Sequence, residues 1–239
     1  MQWLGLFIGA WAAATISGAA GFGGALLLLP LISSVMGAKA AVPVLTAAQL
    51  LGNLSRAGFS YREIRWRPVR YFVAGAVPAA VVGSRLFVSL PKEYITAGIG
   101  VLLILFVIAR RLKLLVLSVP EKSLAFGGAT VGFLSAVAGS AGPLGAALFL
   151  GLNLPSVAYV ASEAVTAVAM HLTKLVVYGS YSLVGPRDLA LGAFLGAAMI
   201  AGSWTGKKVI EKLPRDKFRL LVEALMVISA VQLIISHPG

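Results

Sequence analysis

The chain has 239 residues, 59% of them hydrophobic and only 12% charged, roughly half the charged share of a soluble domain. It contains no cysteine, which excludes disulfides, thiolate metal sites and cysteine nucleophiles. Lysine and arginine outnumber aspartate and glutamate 20 to 8. The cations lie between long apolar runs, so the positive-inside rule accounts for them better than nucleic acid does.

In chain order the apolar runs are 3–17, 23–36, 40–56, 68–89, 94–110, 122–137, 143–151, 157–179, 188–206 and 218–235. Continuous runs of this kind form helices, because an open sheet edge has no hydrogen-bond partners in lipid and a barrel needs short alternating strands. Two places break the pattern. The run 3–17, about 22 Å long as a helix, is short of the bilayer core and stops at Gly18-Ala19-Ala20-Gly21-Phe22-Gly23-Gly24. The stretch 122–151 stops likewise at Gly139-Ser140-Ala141-Gly142-Pro143. Glycine clusters and proline interrupt a helix, and such a break is tolerated in a membrane only where protein or a watery cavity satisfies the backbone. Each stretch is therefore expected to be a hairpin of two half-helices. Small residues four apart, at Gly5/Gly9, Gly128/Gly132 and Gly192/Gly196, suit close helix packing.

Fifteen of the twenty cations fall in the segments 56–70, 110–122 and 207–219. These are expected to be cytoplasmic, which puts both termini outside. The expected location is the cytoplasmic (inner) membrane of a prokaryote.

An offset of about 118 residues relates the two halves. Ser17-Gly18-Ala19-Ala20-Gly21 lies over Ser135-Ala136-Val137-Ala138-Gly139, Gly24 over Gly142, Leu54-Ser55-Arg56 over Leu172-Thr173-Lys174, and Pro68 over Pro186. With a small insertion, Leu90-Pro91-Lys92-Glu93 matches Leu213-Pro214-Arg215-Asp216. The expected fold is all-α and polytopic, with two repeats, 1–118 and 119–239. Each repeat is a broken, re-entrant helical hairpin plus three transmembrane helices. An odd number of crossings per repeat inverts the second relative to the first, and paired interrupted segments in inverted repeats point to a secondary transporter.

On Ser17 to Pro30 (SGAAGFGGALLLLP), its echo at 135–144 (SAVAGSAGPL) and the Gly-Ser…Leu-Pro stretches at 83–91 and 202–214, the sequence resembles the TauE/SafE sulfite-exporter-like transporters over essentially its whole length. The resemblance implies transport of sulfite, a sulfonate such as sulfoacetate, or another small sulfur-containing or organic anion, in either direction and without a cofactor.

An anion in a membrane needs donors and positive potential, and half-helix N-termini supply both. Backbone N–H groups at Phe22, Gly23, Gly24, Ser140, Ala141 and Gly142 are the expected donors, at tips bounded by Gly21 and Gly139. Ser17, Ser135 and Ser140 can add hydroxyls or bond their own backbone. Gln49, Asn53 and Arg56 share one helix face, and their repeat counterparts are Ala167, His171 and Lys174. Arg56 either lines the route or snorkels to the cytoplasmic end, Lys174 lies deeper, and His171 is either a donor, a proton carrier or a packing residue. Glu163, an acid within an expected span, is a candidate for proton coupling, or else a solvated cap or structural partner of a cation.

There is no Gly-x-x-x-x-Gly-Lys-Ser/Thr run, so ATP hydrolysis is not expected, and Gly21-Phe22-Gly23-Gly24 lacks the strand and later acid of a dinucleotide loop. With two histidines, His171 and His237, and no acid–histidine motif, an enzyme is not expected. The expected partners are a small anion, the lipid bilayer and protons, with no nucleic acid; homo-oligomeric association is left open. The alternatives are an anion channel and a carrier of a non-sulfur organic anion.

Overall fold

The computed structural model describes residues 2–89 and 120–224, except 215, 219 and 223. The expected span 94–110, most of 218–235, the 90–93 stretch and the cations Arg110, Arg111, Lys113, Arg215 and Arg219 lie outside the described residues.

The described residues include eight α-helices with described bounds, further helical residues at 216–218, 220–222 and 224, and no strand. The eight are α1 (Gln2–Ala20), α2 (Gly24–Met36), α3 (Ala38–Phe59), α4 (Trp66–Ser89), α5 (Leu124–Ala138), α6 (Gly142–Leu150), α7 (Ser156–Ser180) and α8 (Pro186–Glu211). Four of these, α1, α4, α7 and α8, are long and apolar enough to cross a membrane. The expectation for α1 needs correcting. It does not end at Gly18 but runs 19 residues to Ala20, about 28 Å at the helical rise. Gly18 stays helical because its bare Cα meets another bare backbone: a Cβ there would come within 3.2 Å of Gly206 Cα.

Both interruptions fall where the glycines predict them, at residues 21–23 and 139–141. The chain turns back at each. Leu31 Cδ1 would lie 2.8 Å from a Cβ on Gly9, and Leu148 Cδ1 2.7 Å from one on Gly127, so the two arms of each hairpin lie side by side.

Across the halves, α4 packs along α5 and α1 along α8, while α3 touches α8 and α4 touches α7. Exchanging the first four helices with the last four maps these pairs onto one another. Backbones approach closely at both long contacts. A Cβ on Gly132 would meet Ala76 Cα at 2.8 Å, and one on Gly206 would meet Gly18 Cα at 2.8 Å. Small residues permit this closeness, which maximises dispersion where lipid removes the hydrophobic drive. Gly128/Gly132 and Gly192/Gly196 are packing glycines as expected, but Gly5 has nothing within 4 Å.

The helix ends separate into two groups. At one end the α3–α4 turn, the α6–α7 turn and the end of α8 surround a cavity of about 630 Å³, lined by Tyr61, Arg62, Pro155, Ser156, Lys207 and Glu211 among others. Lys207 Nζ donates to Phe59 O there, and Arg67 Nε pairs with Glu121 Oε2 at 3.0 Å. At the opposite end Val42, Phe87 and Tyr178 form a separate apolar cluster with Leu29, Val88, Leu183 and Val184.

Candidate functional site

The two interruptions are neighbours. A Cβ on Gly142 would lie 3.4 Å from Phe22 Cβ and 4.0 Å from Gly23 N, so the start of α6 abuts the first turn. Phe22 is buried, as is Ala141. The turns depend on glycine backbone conformation at equivalent places, with φ +88° at Gly21 and +79° at Gly139, a region costly to any residue with a Cβ.

Each turn is held by a cation from the third helix of its own half. Arg56 Nη1 donates to Ser17 O at 2.7 Å and Gly21 O at 2.6 Å. Lys174 Nζ donates to Ser135 O at 3.5 Å, Ser135 Oγ at 3.3 Å and Gly139 O at 3.3 Å. The carbonyls belong to the ends of α1 and α5, where the helix dipole is negative and backbone acceptors are in excess; Ser17 O also accepts from Gly21 N at 2.8 Å. A buried cation answers both needs. Lys174 is fully buried and its three N–H groups all have acceptors. Arg56 does not snorkel; it is buried at 6% exposure.

The surroundings of the two cations differ. Arg56 Nη2 also donates to Asn53 Oδ1 and pairs with Glu163 Oε2 at 3.6 Å. Asn53 Nδ2 in turn donates to Gln49 O at 2.7 Å, which completes the polar face predicted at Gln49, Asn53 and Arg56. Glu163 is therefore neither solvated nor a helix cap: it is buried on α7 and reaches the cation of the other half. Among the described residues no ion pair is formed by Lys174. His171 is buried, and its Nδ1 has no partner among the described residues.

Ser17 and Ser140 act locally, while Ser135 meets the third helix of its half. Ser17 Oγ donates to Ala14 O at 3.3 Å, Ser140 Oγ accepts from Gly142 N at 3.5 Å, and Ser135 Oγ accepts from Lys174. Gly23, with φ +102°, is the N-cap of α2, and Ala141 the N-cap of α6.

Sequence reasoning misses Tyr159. Its ring lies over Gly21, where a Cβ would come within 2.6 Å of Cε1 and 3.3 Å of the hydroxyl, and it packs edge-on against Phe218. The buried hydroxyl has no partner among the described residues. Its position in an apolar run conceals it; its i, i+4 spacing from Glu163 is the available signal.

A small cleft of about 10 Å³, lined by Gly18, Arg56, Val160 and Ser203 among others, shares Phe59, Ser60, Val157, Lys207 and Ile210 with the large cavity. Gly18 and Arg56, beside the first turn, thus lie next to the end that carries the basic residues. Among the described residues no group of three or more acidic, histidine or cysteine side chains is placed to hold a metal.

The family model described as sulfite exporter TauE/SafE matches residues 6–233. No curated protein and no solved structure matches the chain.

Proposed function

The chain belongs to the sulfite exporter TauE/SafE family, and from that premise we propose that it is a secondary carrier of a small sulfur-containing anion. TauE/SafE is a family of transporters, and the apolar helices make the chain a multi-pass membrane protein. The proposed substrate is sulfite, sulfoacetate or another organosulfonate, held at the glycine-rich hairpin tips and moved by alternating access, with protons as the coupling ion.

The observation that carries this reading is the contact between the two tips, Gly142 against Phe22 and Gly23. Two interrupted segments meeting beside buried cations, with free N–H groups at the start of α2, form a place where an anion can shed water. The proposal takes residues 1–118 and 119–239 as inverted repeats whose hairpins enter from opposite faces. The matching reach of Arg56 and Lys174 and the exchange of packing pairs support it.

The basic end is taken as cytoplasmic, in line with the positive-inside rule, which leaves both termini outside. On this reading the structure would correspond to an inward-facing state. The cavity beside Arg62 and Lys207 shares Lys207 and Ile210 with a small cleft beside Arg56, and the cluster of Val42, Phe87 and Tyr178 at the other end would act as the seal. Inverted repeats give the outward-open state by exchanging the conformations of the two halves.

The test is uptake into proteoliposomes with a panel of sulfite, thiosulfate, sulfoacetate and small carboxylates. Saturable uptake with counterflow of a sulfur anion is the expected result. Flux that does not saturate would replace the carrier by a channel. Exchange of carboxylates alone would replace the substrate class.

A further inference from the structure

We infer that the anion is held at the first hairpin alone, by the N-terminal N–H groups of α2 together with Gln49 Nε2 and the Tyr159 hydroxyl. This rests on the carrier reading above and narrows it: the repeat is two-fold, but the donor set is not.

At the start of α2 the N–H groups of Gly24 and Ala25 have no backbone acceptor among the described residues, and the first bond back into the turn is Leu27 N to Gly23 O at 3.2 Å. Gln49 sits directly above. Its Nε2 lies 3.1 Å, and Ser17 Oγ 3.0 Å, from the place a Gly24 Cβ would occupy. Gln49 is 4% exposed, and Nε2 has no acceptor among the described residues. At the other edge of the same turn stands the Tyr159 hydroxyl, also buried and without a described partner, over Gly21. Unpartnered donors thus stand at both edges of one four-residue turn, Gln49 Nε2 at Gly24 and the Tyr159 hydroxyl at Gly21. That arrangement is costly when empty, and an oxyanion with several oxygens relieves it. The formal charges beside it, Arg56 and Glu163, are paired with each other, so the site selects by donors rather than by net charge.

The second hairpin lacks every part of this set. Gly142 N is spent on Ser140 Oγ at 3.5 Å. Pro143 has no N–H. Leu144 N and Gly145 N are spent on Ala141 O at 3.1 and 3.3 Å. The repeat counterparts of Gln49 and Tyr159 are Ala167 and Ala41, which carry no donor. The second tip therefore packs against the first as a wall, and a single anion binds per chain.

The experiment uses the full-length protein purified in detergent, with binding of sulfite, thiosulfate, sulfoacetate, sulfate and oxalate measured by calorimetry and unfolding followed thermally. Gln49→Glu separates two roles for this side chain. A carboxylate caps a helix N-terminus well, so a glutamine that merely caps α2 through its oxygen would be replaced without loss. A glutamine that donates to an anion would be replaced by a repelling charge. Tyr159→Phe keeps the ring against Phe218 and removes only the hydroxyl. The expected result is that each variant weakens binding of the favoured anion about tenfold or more, as for loss of a hydrogen bond to a charged group. The unfolding temperature of Gln49→Glu should hold or rise.

Wild-type affinity in both variants would overturn the assignment. A stoichiometry of two anions per chain would do the same. If wild type binds oxalate and no sulfur anion, and Gln49→Glu abolishes that binding, the subsite stands and the sulfur substrate class falls. Failure of wild type to bind any anion of the panel would overturn both.

Discussion

Arg56 and Lys174 stand in the same relation to their own hairpins: each donates to carbonyls 39 and 35 residues earlier in the chain, Ser17 and Gly21 for one, Ser135 and Gly139 for the other. The two cations close the negative ends of α1 and α5. Their first duty is to hold an interrupted helix together where water cannot.

Lys174 gives the cleaner test, because among the described residues it forms no ion pair that its removal would strand. Lys174→Met should leave the Ser135 and Gly139 carbonyls buried and less well satisfied, a loss of about 1–3 kcal/mol. Lys174→Arg, which keeps a cation and its donors, should recover most of it. Thermal unfolding in detergent checks both. Equal stability of the Met variant and wild type would show that the carbonyls find other donors.

The tip glycines should not be equally tolerant. Gly139→Ala meets nothing closer than Val42 Cγ2 at 3.5 Å, so its cost is the left-handed backbone alone, about 1–2 kcal/mol. Gly21→Ala carries the same backbone cost and in addition drives a Cβ to 2.6 Å from the Tyr159 ring. Anion affinity should therefore fall further in Gly21→Ala than in Gly139→Ala. The reverse order would mean that the second tip, not the first, is the sensitive one.

What the sequence can and cannot reveal follows from what each pattern encodes. Among the described residues the helix positions and both interruptions are legible, because glycine clusters in apolar runs have few other uses. Composition ends α1 too early, at Gly18 rather than Gly21, because it cannot show that Gly18 packs on Gly206. The polar face of α3 is legible from spacing, since Gln49, Asn53 and Arg56 lie on one side of one helix. Contacts between helices are not. Nothing local in the sequence says that Glu163 meets Arg56, or that Tyr159 lies over Gly21, since period gives a face and not the element opposite.

Orientation is open to labelling, since the chain has no cysteine of its own. Arg62 and Lys208 are exposed at the basic end, and Tyr181 and Ser182 are exposed at the other. Single cysteines at 62 and 208 should resist an impermeant maleimide in intact cells, while cysteines at 181 and 182 should react. External labelling at 62 or 208 would reverse the assigned topology.

Under the proposed proton coupling, Glu163 is the group through which it would act. Its carboxylate is buried 3.6 Å from the Arg56 guanidinium, which also holds Ser17 O, Gly21 O and Asn53 Oδ1. While Glu163 is ionised the charges cancel. A proton on Glu163 would leave Arg56 uncompensated beside the first turn, and an incoming anion would restore neutrality, so proton and anion would move together. Stripping one partner from a buried pair usually costs about 3–5 kcal/mol. In Glu163→Gln the remaining acceptors of Arg56 should absorb part of that cost, and the fold should survive. The variant mimics the protonated acid permanently. It should bind and exchange the anion in counterflow but fail to accumulate it against a gradient when driven by pH in the same vesicles. Loss of both activities in equal measure would make Glu163 a structural partner of Arg56. Full retention of pH-driven uptake would place coupling elsewhere.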